Sequence, residues 1–324
     1  MILVVAHEED DHAMAVMAEL SAASHPVELL DTAQFPRSGA VIERFDGGER
    51  SFAFATQGRH VSLDDCGAAW WRRPQPFTLH DGLSMQATAF VYGECHEAMA
   101  GLWPSIPAQW VNSPQLDSAA HHKPYQLTVA AEVGLTIPRT LITNDPDAAR
   151  ELIREVGLER TVYKTFLATE QCWRETRIMR PSDLEHMDAL RMAPVIFQEY
   201  VAADADLRVT IIGPHLFATA IRAAPGGYEV DYRMDMPGAS FQEAALPEPV
   251  AARLRDLMQR LGLVYGAIDL RRTPEGEYVF LEVNPAGEWR FVEERTGQPM
   301  TRAMATVLRD LDRASATGAF AGSC

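Results

Sequence analysis

Short apolar runs alternate with polar or helical segments over the N-terminal third of the chain. The elements predicted there are a strand at 2–6, a helix at about 12–23, a strand at 27–30, a hairpin at 51–63 and a strand at 68–71. Strands that alternate with helices in this way are typical of a small α/β unit. A loop rich in proline and tryptophan at 103–114 marks its predicted end. We therefore predict an N-terminal α/β domain over residues 1–114.

The middle portion, residues 115–200, combines helices and strands. Its predicted elements are a helix that Asp117 or Ser118 caps, a helix at 124–133, a strand at 140–143, a helix at 146–156, and strands at 161–167 and 195–201. Helix 146–156 has the clearest ends, because Asp145 can cap it and Gly157 follows it. This portion is predicted to be a separate α+β subdomain.

The C-terminal portion, residues 201–324, is rich in strands. Its predicted elements are strands at 207–213 and 215–223, a helix at 250–261, strands at 264–271 and 277–284, and a last helix at about 297–312. The leucines and methionine of helix 250–261 lie on one stripe, which predicts a buried face. The fold class of the whole chain is therefore α/β with α+β subdomains.

Composition and charge exclude several classes of partner. The formal net charge is −16, which opposes binding to nucleic acid or to an anionic membrane. The 4 cysteines are scattered without a C-x-x-C pair, so neither a zinc site nor a disulfide framework is indicated. The chain starts with an apolar run that lacks a charged leader, and no apolar run is long enough to span a membrane. We predict a cytoplasmic protein.

Three oxygen-bearing side chains lie on the predicted hairpin near the C-terminus. Asp269 precedes the turn at 273–276, and Glu282 and Asn284 follow it. Alternation along a strand places Glu282 and Asn284 on one face, and counting back across the turn places Asp269 opposite one of them. Mg²⁺ prefers such carboxylate and amide oxygens and completes its shell with phosphates and water. Solvated acids on a surface hairpin would have the same spacing, so this pattern alone leaves both interpretations open.

Residues in the middle portion suggest a nucleotide. Lys123 and Lys164 are the only lysines of the chain, and Lys164 is predicted in the middle of a strand, where an unpaired ammonium is costly. The sequence Gln198-Glu199-Tyr200-Val201 ends a strand, and its backbone could present the donor and acceptor that an adenine edge requires. Asp206 and Arg208 follow on one strand face, where a local ion pair is the alternative.

The order Lys123, Lys164, Gln198 to Val201, Asp206-x-Arg208, Asp269 and Glu282-x-Asn284 resembles the ATP-grasp superfamily over nearly the whole chain. The resemblance implies two α+β subdomains that enclose ATP behind the N-terminal domain, with Asp206 and Arg208 in the nucleotide-binding set. It implies that both lysines contact the phosphates, that Gln198, Glu199, Tyr200 and Val201 form the adenine hinge, and that Asp269, Glu282 and Asn284 hold Mg²⁺. The segment 166–180 is the expected flap over the phosphates.

A narrower resemblance is carried by WWRRP at 70–74, DYR at 231–233 and NPAGEWRFVEERTGQP at 284–299. Together these segments look like those of the microviridin-type peptide ligases, or graspetide synthetases. That resemblance implies an ATP-dependent ligase that activates a side-chain carboxylate as an acyl phosphate and forms ester or amide crosslinks in a ribosomal precursor peptide. This chain departs from the group at Glu288, where an amide is frequent, and at Pro124, which follows Lys123 directly.

Arginines are the expected contacts for the transferring phosphate and for an acidic peptide. Lys164, Arg208 and Arg233 are the candidates for stabilising the transferring group. The planar fork of arginine suits carboxylates, so the peptide candidates are Arg72, Arg73, Arg174 and Arg177, with Glu288 beside them. The expected partner is a precursor peptide with a leader and an acidic core, and a homodimer is left open.

Two other functions share parts of this pattern. A ligase that adds glutamate or another amino acid to a peptide or protein end would need the same lysines and metal ligands. A non-catalytic module that binds peptide or nucleotide could keep the fold without turnover. The presence of both lysines together with Asp269, Glu282 and Asn284 favours an active enzyme, since a binding module has no chemical need for all of them.

Overall fold

A four-stranded parallel sheet is the centre of the N-terminal unit. The computed structural model describes residues 1–56, 58–166, 177–224 and 236–317. Its first elements are β1 (Ile2–Val5), α1 (Asp11–Ala22), β2 (Val27–Leu30), β3 (Gly39–Asp46), β4 (Glu49–Thr56), β5 (Arg59–Ser62), β6 (Ala68–Trp71), α2 (Met85–Ser105) and β7 (Gln109–Val111). The parallel strands lie in the order β2-β1-β6-β7, and β3, β4 and β5 form a separate antiparallel sheet. The predicted α/β class is confirmed, but α2, β3 and β7 were not predicted, and the predicted loop at 103–114 contains the end of α2, all of β7 and the start of the next helix, which begins at Pro114.

The middle of the chain forms a second, antiparallel sheet. Its elements are α3 (Pro114–Ala120), α4 (Lys123–Glu132), β8 (Thr140–Thr143), α5 (Pro146–Val156), β9 (Thr161–Lys164), β10 (Arg177–Ile178) and β11 (Val195–Glu199), with a 3₁₀ segment at Pro181–Met192. The sheet order is β10-β9-β11-β8. Helix α5 begins and ends as predicted, since Asp145 caps it and Gly157 ends it at φ +96°. The prediction for Lys164 was wrong in one respect, because β9 ends at this residue and does not continue past it.

The C-terminal part forms a five-stranded antiparallel sheet in the order β14-β13-β12-β15-β16. Its elements are β12 (Ala205–Ile212), β13 (His215–Arg222), β14 (Ser240–Glu243), α6 (Glu248–Leu261), β15 (Tyr265–Arg272), β16 (Tyr278–Asn284), α7 (Arg290–Thr296) and α8 (Met300–Ala316). The predicted stripe of α6 is buried, and Leu254 and Leu257 pack in one core with Ile268 and Phe280. Most of these burials remove aliphatic side chains from water, which stabilises the sheet and helix together.

Two helices connect the units. The side chain of Gln126 on α4 donates to the carbonyl of Val283 at 2.8 Å and accepts from its N–H at 3.0 Å, which fixes α4 against β16. Helix α8 returns to the N-terminal sheet, where Met304 and Leu308 share a core with Val4 and Trp70. Helix α8 (Met300–Ala316) begins and ends later than the predicted range 297–312. The division at residues 114 and 200 stays a prediction.

None of the helices in the described ranges is long and apolar enough to cross a membrane.

Candidate nucleotide and metal site

The hairpin of β15 and β16 carries the predicted metal ligands as a compact group. Asp269 lies directly opposite Glu282, and Asn284 lies opposite Ala267, two residues further along the ladder. The register shifts after Asp269, so Leu281 is an extra residue on β16. Val283 is buried behind the group, as the alternation predicts. The turn that sets this register contains Gly276 at φ +88°.

Cationic side chains lie against both carboxylates. The ammonium of Lys123 contacts the carboxylate of Glu282, and Nη1 of Arg208 lies 3.0 Å from Oδ1 of Asp269. The amide oxygen of Asn284 accepts the backbone N–H of Ala286 at 3.1 Å. Two carboxylates and one amide oxygen are a donor set that fits a hard divalent cation, and the lysine and arginine beside them suit phosphate oxygens. The residues present therefore fit a magnesium nucleotide.

Arg208 is the most constrained cation of the group. Its side chain is buried, it lies opposite Asp269 in the β12–β15 register, and its Nη2 donates to the carbonyl of Glu288 at 2.8 Å. Gly287 leaves room for this contact, because a Cβ there would lie 2.9 Å from Nη2 of Arg208 and 2.4 Å from Cβ of Ala267. The guanidinium thus ties a metal-ligand candidate to the loop that follows β16.

Asp206 has a different partner from the one considered in the sequence. Its Oδ1 accepts from Nε of Arg271 at 2.9 Å, and Nη1 of Arg271 donates to the carbonyl of Val201 at 2.7 Å. Burial and the carboxylate of Asp206 oppose each other on the pKa of Arg271, which is raised overall. Asp206 is therefore linked to the predicted adenine hinge through Arg271.

In the predicted hinge, the side chain of Gln198 on β11 contacts Lys164 on β9 and Thr140 on β8. Nζ of Lys164 donates to Oε1 of Gln198 at 2.7 Å, and Gln198 is buried against Thr140. The N–H groups of Glu199 and Tyr200 donate to backbone carbonyls at 2.8 Å and 2.7 Å. By contrast, the described part of the chain offers no backbone acceptor to the N–H of Val201. The role of this N–H as the donor to an adenine edge stays a prediction.

The arginines predicted for the peptide lie in different environments. Arg72 is 1% exposed, and its Nη1 donates to the carbonyls of Ala286 at 2.6 Å and Gly287 at 3.1 Å. Arg72 therefore holds the backbone of the loop that follows β16, and the expectation that it contacts a peptide was wrong. Arg73 is half exposed, donates to the carbonyl of Ala286 at 2.9 Å and contacts the carboxylate of Glu288.

The other predicted cations are less informative about the site. Arg177 makes a two-pronged contact with Asp183, with both N···O distances at 2.7 Å, and lies over the ring of Tyr163. Arg174 and Arg233 lie outside the described residues, as does most of the expected flap at 166–180. Their roles stay predictions.

Sequence reasoning missed the residues that hold the loop after Asn284. We define the clamped loop as residues 285–290. The buried Nε2 of His12 accepts the N–H groups of Trp289 at 3.0 Å and Arg290 at 3.2 Å. Burial is the main cause that lowers the pKa of His12, and the charge of Arg72 adds to it. In the sequence, His12 only follows the acidic residues Glu8 to Asp11 after the first strand, which gave no signal of this contact. The contact joins residues 277 positions apart.

Two further buried groups complete the clamp. The amide of Asn112 donates to the carbonyl of Pro285 at 3.0 Å and to that of Tyr265 at 2.9 Å. The hydroxyl of Tyr265 donates to the carbonyl of Gly287 at 2.6 Å, and burial raises the pKa of this tyrosine to about 12. The N-terminal unit and β15 therefore grip the clamped loop directly after the last metal-ligand candidate.

Comparison with known proteins agrees with this architecture. The family model described as MvdD pre-ATP grasp domain matches residues 1–118. The chain is similar to the macrocyclase MdnC of Microcystis aeruginosa MRC, solved with precursor peptide MdnA, at 28% identity and a TM-score of 0.85 over 95% of this chain and 98% of that one. It is also similar to the macrocyclase MdnB of the same organism, at 30% identity and a TM-score of 0.81 over 95% and 98% of the two chains.

A curated relative matches a smaller part. Ribosomal protein bS6--L-glutamate ligase of Salmonella paratyphi B is 29% identical over 187 residues, which are 55% of this chain and 60% of that protein. The match thus spans about 60% of the length of the curated relative. The fold is that of ATP-grasp proteins. The chain belongs to the microviridin-type peptide ligases, or graspetide synthetases, of this superfamily.

Proposed function

We propose that this chain is an ATP-dependent, ADP-forming ligase that closes ester or amide crosslinks within a ribosomally made precursor peptide. The observation that carries the proposal is the pairing of Asp269 and Glu282 across one hairpin, each with a cationic side chain against it. Oxygen donors beside a lysine and an arginine are what a magnesium-bound triphosphate needs.

Each candidate residue has a separate role in the proposed phosphoryl transfer. Asp269, Glu282 and Asn284 would hold Mg²⁺, which supplies charge neutralisation on the phosphates when bound. Lys123 and Lys164 bind phosphate oxygens, and Arg208 stabilises the charge that develops on the transferring group. The Val201 N–H and the hinge around it orient the base. Phosphoryl transfer asks mainly for positioning and electrostatic stabilisation, so no covalent nucleophile of the protein is required.

The chemistry consists of two substitutions. A side-chain carboxylate of the peptide attacks the γ-phosphorus of ATP, and the bond to ADP breaks to leave an acyl phosphate. An amine or hydroxyl of the same peptide then attacks the acyl carbon, loses its proton and displaces phosphate. The peptide loses one water per link overall. Because donor and acceptor belong to one bound peptide, the second step is effectively intramolecular.

An acidic core is the peptide segment that this site suits. Arg73 is half exposed next to the clamped loop, and Arg174, Arg177 and Arg233 remain candidates for peptide or phosphate contacts. The formal charge of −16 makes such individually placed arginines the attractive points for an acidic chain. Recognition of a separate leader and a cytoplasmic location are further parts of the proposal, and the oligomeric state is left open.

The curated relative supports a second candidate function. Its name describes the ligation of glutamate to a ribosomal protein, and it matches 55% of this chain. A ligase of this kind would use the same lysines and metal ligands but would add an amino-acid mass. A non-catalytic binding module is the third candidate and would form no ADP.

One incubation separates these functions. Purified protein receives Mg-ATP and the small acidic peptide that is expected to be encoded beside its gene, and ADP release is followed together with the peptide mass. Loss of one water mass per link supports crosslinking, whereas gain of an amino-acid mass in the presence of free amino acids supports the second candidate. No ADP with any peptide would contradict both ligase functions.

Glu282→Gln tests the site itself. We expect this variant to stop ADP release, because an amide binds a hard cation more weakly than a carboxylate does. Glu275→Gln on the exposed turn of the same hairpin is the matched control and should release ADP at the wild-type rate. Turnover by Glu282→Gln would refute the metal assignment.

A further inference from the structure

An apolar cavity of about 450 Å³ lies in the N-terminal unit, outside the nucleotide and metal site. Large side chains form most of its wall, namely Trp71, Pro74, Phe77, Tyr92, Met99 and Trp103. The rings pack edge to face, with centroids 5.4 Å apart for Trp71 and Trp103. This packing keeps the wall in place and leaves a ready-made apolar surface.

The cavity lies at the edge of the sheet where open α/β folds bind ligands. Thr32 follows the end of β2, Trp71 ends β6, and Pro114 follows the end of β7, and all three line the cavity. These strands are parallel, so their carboxyl ends meet at one edge. The order β2-β1-β6-β7 also reverses direction between β1 and β6. A crevice outside the carboxyl ends, at such a reversal, is the usual ligand position in these folds.

Two segments lead from the cavity wall into the reaction site. Pro74 directly follows Arg73, whose guanidinium contacts the clamped loop beside the metal-ligand candidates. On the other side, Ser118 of α3 lines the cavity, and the chain continues within five residues to Lys123. A chain bound near Arg73 and Lys123 therefore has the cavity within reach.

The side chains that line the cavity favour an uncharged, apolar occupant. Apart from His96 it contains no side chain that ionises near neutral pH, and its polar members are hydroxyl and amide groups such as Thr32, Gln75 and Gln115. A phosphate or carboxylate would find no lysine or arginine there. A volume of about 450 Å³ is in the lower part of the range for small-ligand pockets and suits one or two large side chains.

We propose that this cavity binds an aromatic or large aliphatic side chain of the peptide substrate and thereby anchors the peptide beside the reaction centre. The occupant's identity as a peptide rests on the proposed function. The cavity then contributes affinity for peptide and none for ATP, because none of the predicted nucleotide contacts lines it.

Filling the cavity is the direct test. Ala100 lines it from α2, and Ala100→Phe places a ring in the space. Ala98→Phe adds the same ring to an exposed position of the same helix and is the matched control. Peptide binding is measured by calorimetry with the intact acidic peptide, and ADP release is measured separately. We expect Ala100→Phe to weaken peptide binding about tenfold or more, with the KM for ATP unchanged and Ala98→Phe at wild-type values.

Peptide variants show whether the cavity is the point of contact. Each large apolar residue of the peptide is changed to alanine in turn, and one of these changes should weaken binding to the wild type but not weaken binding to Ala100→Phe any further. Tyr92→Ala, on a half-exposed wall position, gives a second variant if Ala100→Phe does not fold. Its removal of an aromatic wall should also weaken binding.

The outcomes distinguish this inference from the proposed function. Wild-type turnover combined with unchanged peptide affinity in Ala100→Phe and Tyr92→Ala would overturn the cavity assignment and leave the ligase function intact. Peptide binding that Ala100→Phe weakens, without ADP release by the wild type, would support the cavity assignment and refute the ligase function. If the wild type binds no peptide, both fall.

Discussion

His12 and Trp289 are joined by a hydrogen bond of 3.0 Å, in which the backbone N–H of Trp289 donates to Nε2 of the imidazole. Nδ1 of the same ring lies 2.6 Å from a carboxylate oxygen of Asp11. A nitrogen that accepts carries no proton, so the hydrogen on the ring is at Nδ1 and His12 is neutral. The N-terminal helix thereby controls the position of a loop that begins directly after Asn284.

The state of His12 predicts how stability depends on pH. Burial lowers its pKa in the folded protein below the ordinary histidine value of 6.5. Between these two values the unfolded chain binds more protons than the folded one, so the free energy of unfolding falls as the pH drops below about 6.5. His12→Gln keeps an acceptor oxygen and has no proton to take up. We expect urea unfolding between about pH 7 and 5 to show a shallower loss of stability in this variant.

A histidine elsewhere provides the comparison. His60→Gln changes an exposed residue on β5 and should leave the slope of the wild type unchanged. His121 contributes with the opposite sign, because its hydrogen bond to Asp117 raises its pKa and its stabilisation is lost only as the pH rises above 6.5. An equal slope in wild type and His12→Gln would mean that the imidazole takes up a proton without breaking the clamp.

Arg208→Lys separates charge from geometry at the site. The guanidinium reaches Oδ1 of Asp269 with one nitrogen and the carbonyl of Glu288 with another, whereas a lysine has a single nitrogen. We expect a loss of about 1.5–3 kcal/mol of stability from the missing charge-assisted hydrogen bond. ADP release should fall about a hundredfold, since a donor near the transferring group is displaced.

Arg255→Lys is the control for this substitution. Arg255 pairs with Glu248 on the exposed face of α6, and the same change there should alter neither stability nor ADP release measurably. Rates are measured at saturating Mg-ATP and peptide, and stability by urea unfolding. A wild-type rate in Arg208→Lys would show that positive charge alone is sufficient at this position.

Local patterns were sufficient to predict the hairpin that carries the metal-ligand candidates. The hairpin and the shared strand face of Glu282 and Asn284 follow from the turn residues and from alternation along the strand, both of which are visible in a short window of sequence, whereas the pairing of Asp269 with Glu282 depends on the register shift beside it. Helix α5 was predictable for the same reason, because its cap and its terminal glycine are neighbours in the chain. The extra residue after Asp269 had no such signal.

The clamp around 285–290 could not be predicted in this way. Arg72 and Ala286 are 214 positions apart, and only the return of α8 to the N-terminal sheet and the pairing of β15 with β16 bring them together. An arginine in a short W-x-R-R-P segment has the same appearance whether it faces a substrate or is buried. The burial of Arg72 and the exposure of Arg73 thus depend on packing between units that local periodicity does not specify.

Arg73 and Glu288 form an exposed ion pair. We predict that removal of the Glu288 carboxylate strengthens binding of the acidic peptide. Their side chains are 40% and 50% exposed, so the pair contributes less than about 1 kcal/mol to stability. Glu288→Gln removes a carboxylate that competes for Arg73. We expect a lower KM for the acidic peptide at low ionic strength, and the difference should shrink as salt is added.

A distant acid separates this local effect from the change in net charge. Glu19→Gln removes one negative charge from the exposed surface of α1, where the nearest cation, Arg302, is 3.9 Å away. Both variants therefore carry the same net charge, and only Glu288→Gln should change the KM for peptide. A higher KM in Glu288→Gln would indicate that Glu288 itself contacts the substrate or the metal.

Gly287→Ala tests whether the clamped loop sets the position of the metal ligands. The new Cβ would lie 2.4 Å from Cβ of Ala267, which is fixed to β15 opposite Asn284, so the loop itself must shift. Such overpacking costs about 1–3 kcal/mol and should reduce ADP release together with stability.

Gly101→Ala is the matched control, since nothing lies within 4 Å of its added Cβ on α2 and alanine favours the helix by roughly 0.5–1 kcal/mol. Urea unfolding and ADP release are compared for both variants at saturating Mg²⁺ and again at limiting Mg²⁺. A shifted Asn284 should make Gly287→Ala need more Mg²⁺ for half-maximal rate, whereas a loss of stability with an unchanged Mg²⁺ requirement would show that the loop supports the fold without positioning the metal ligands.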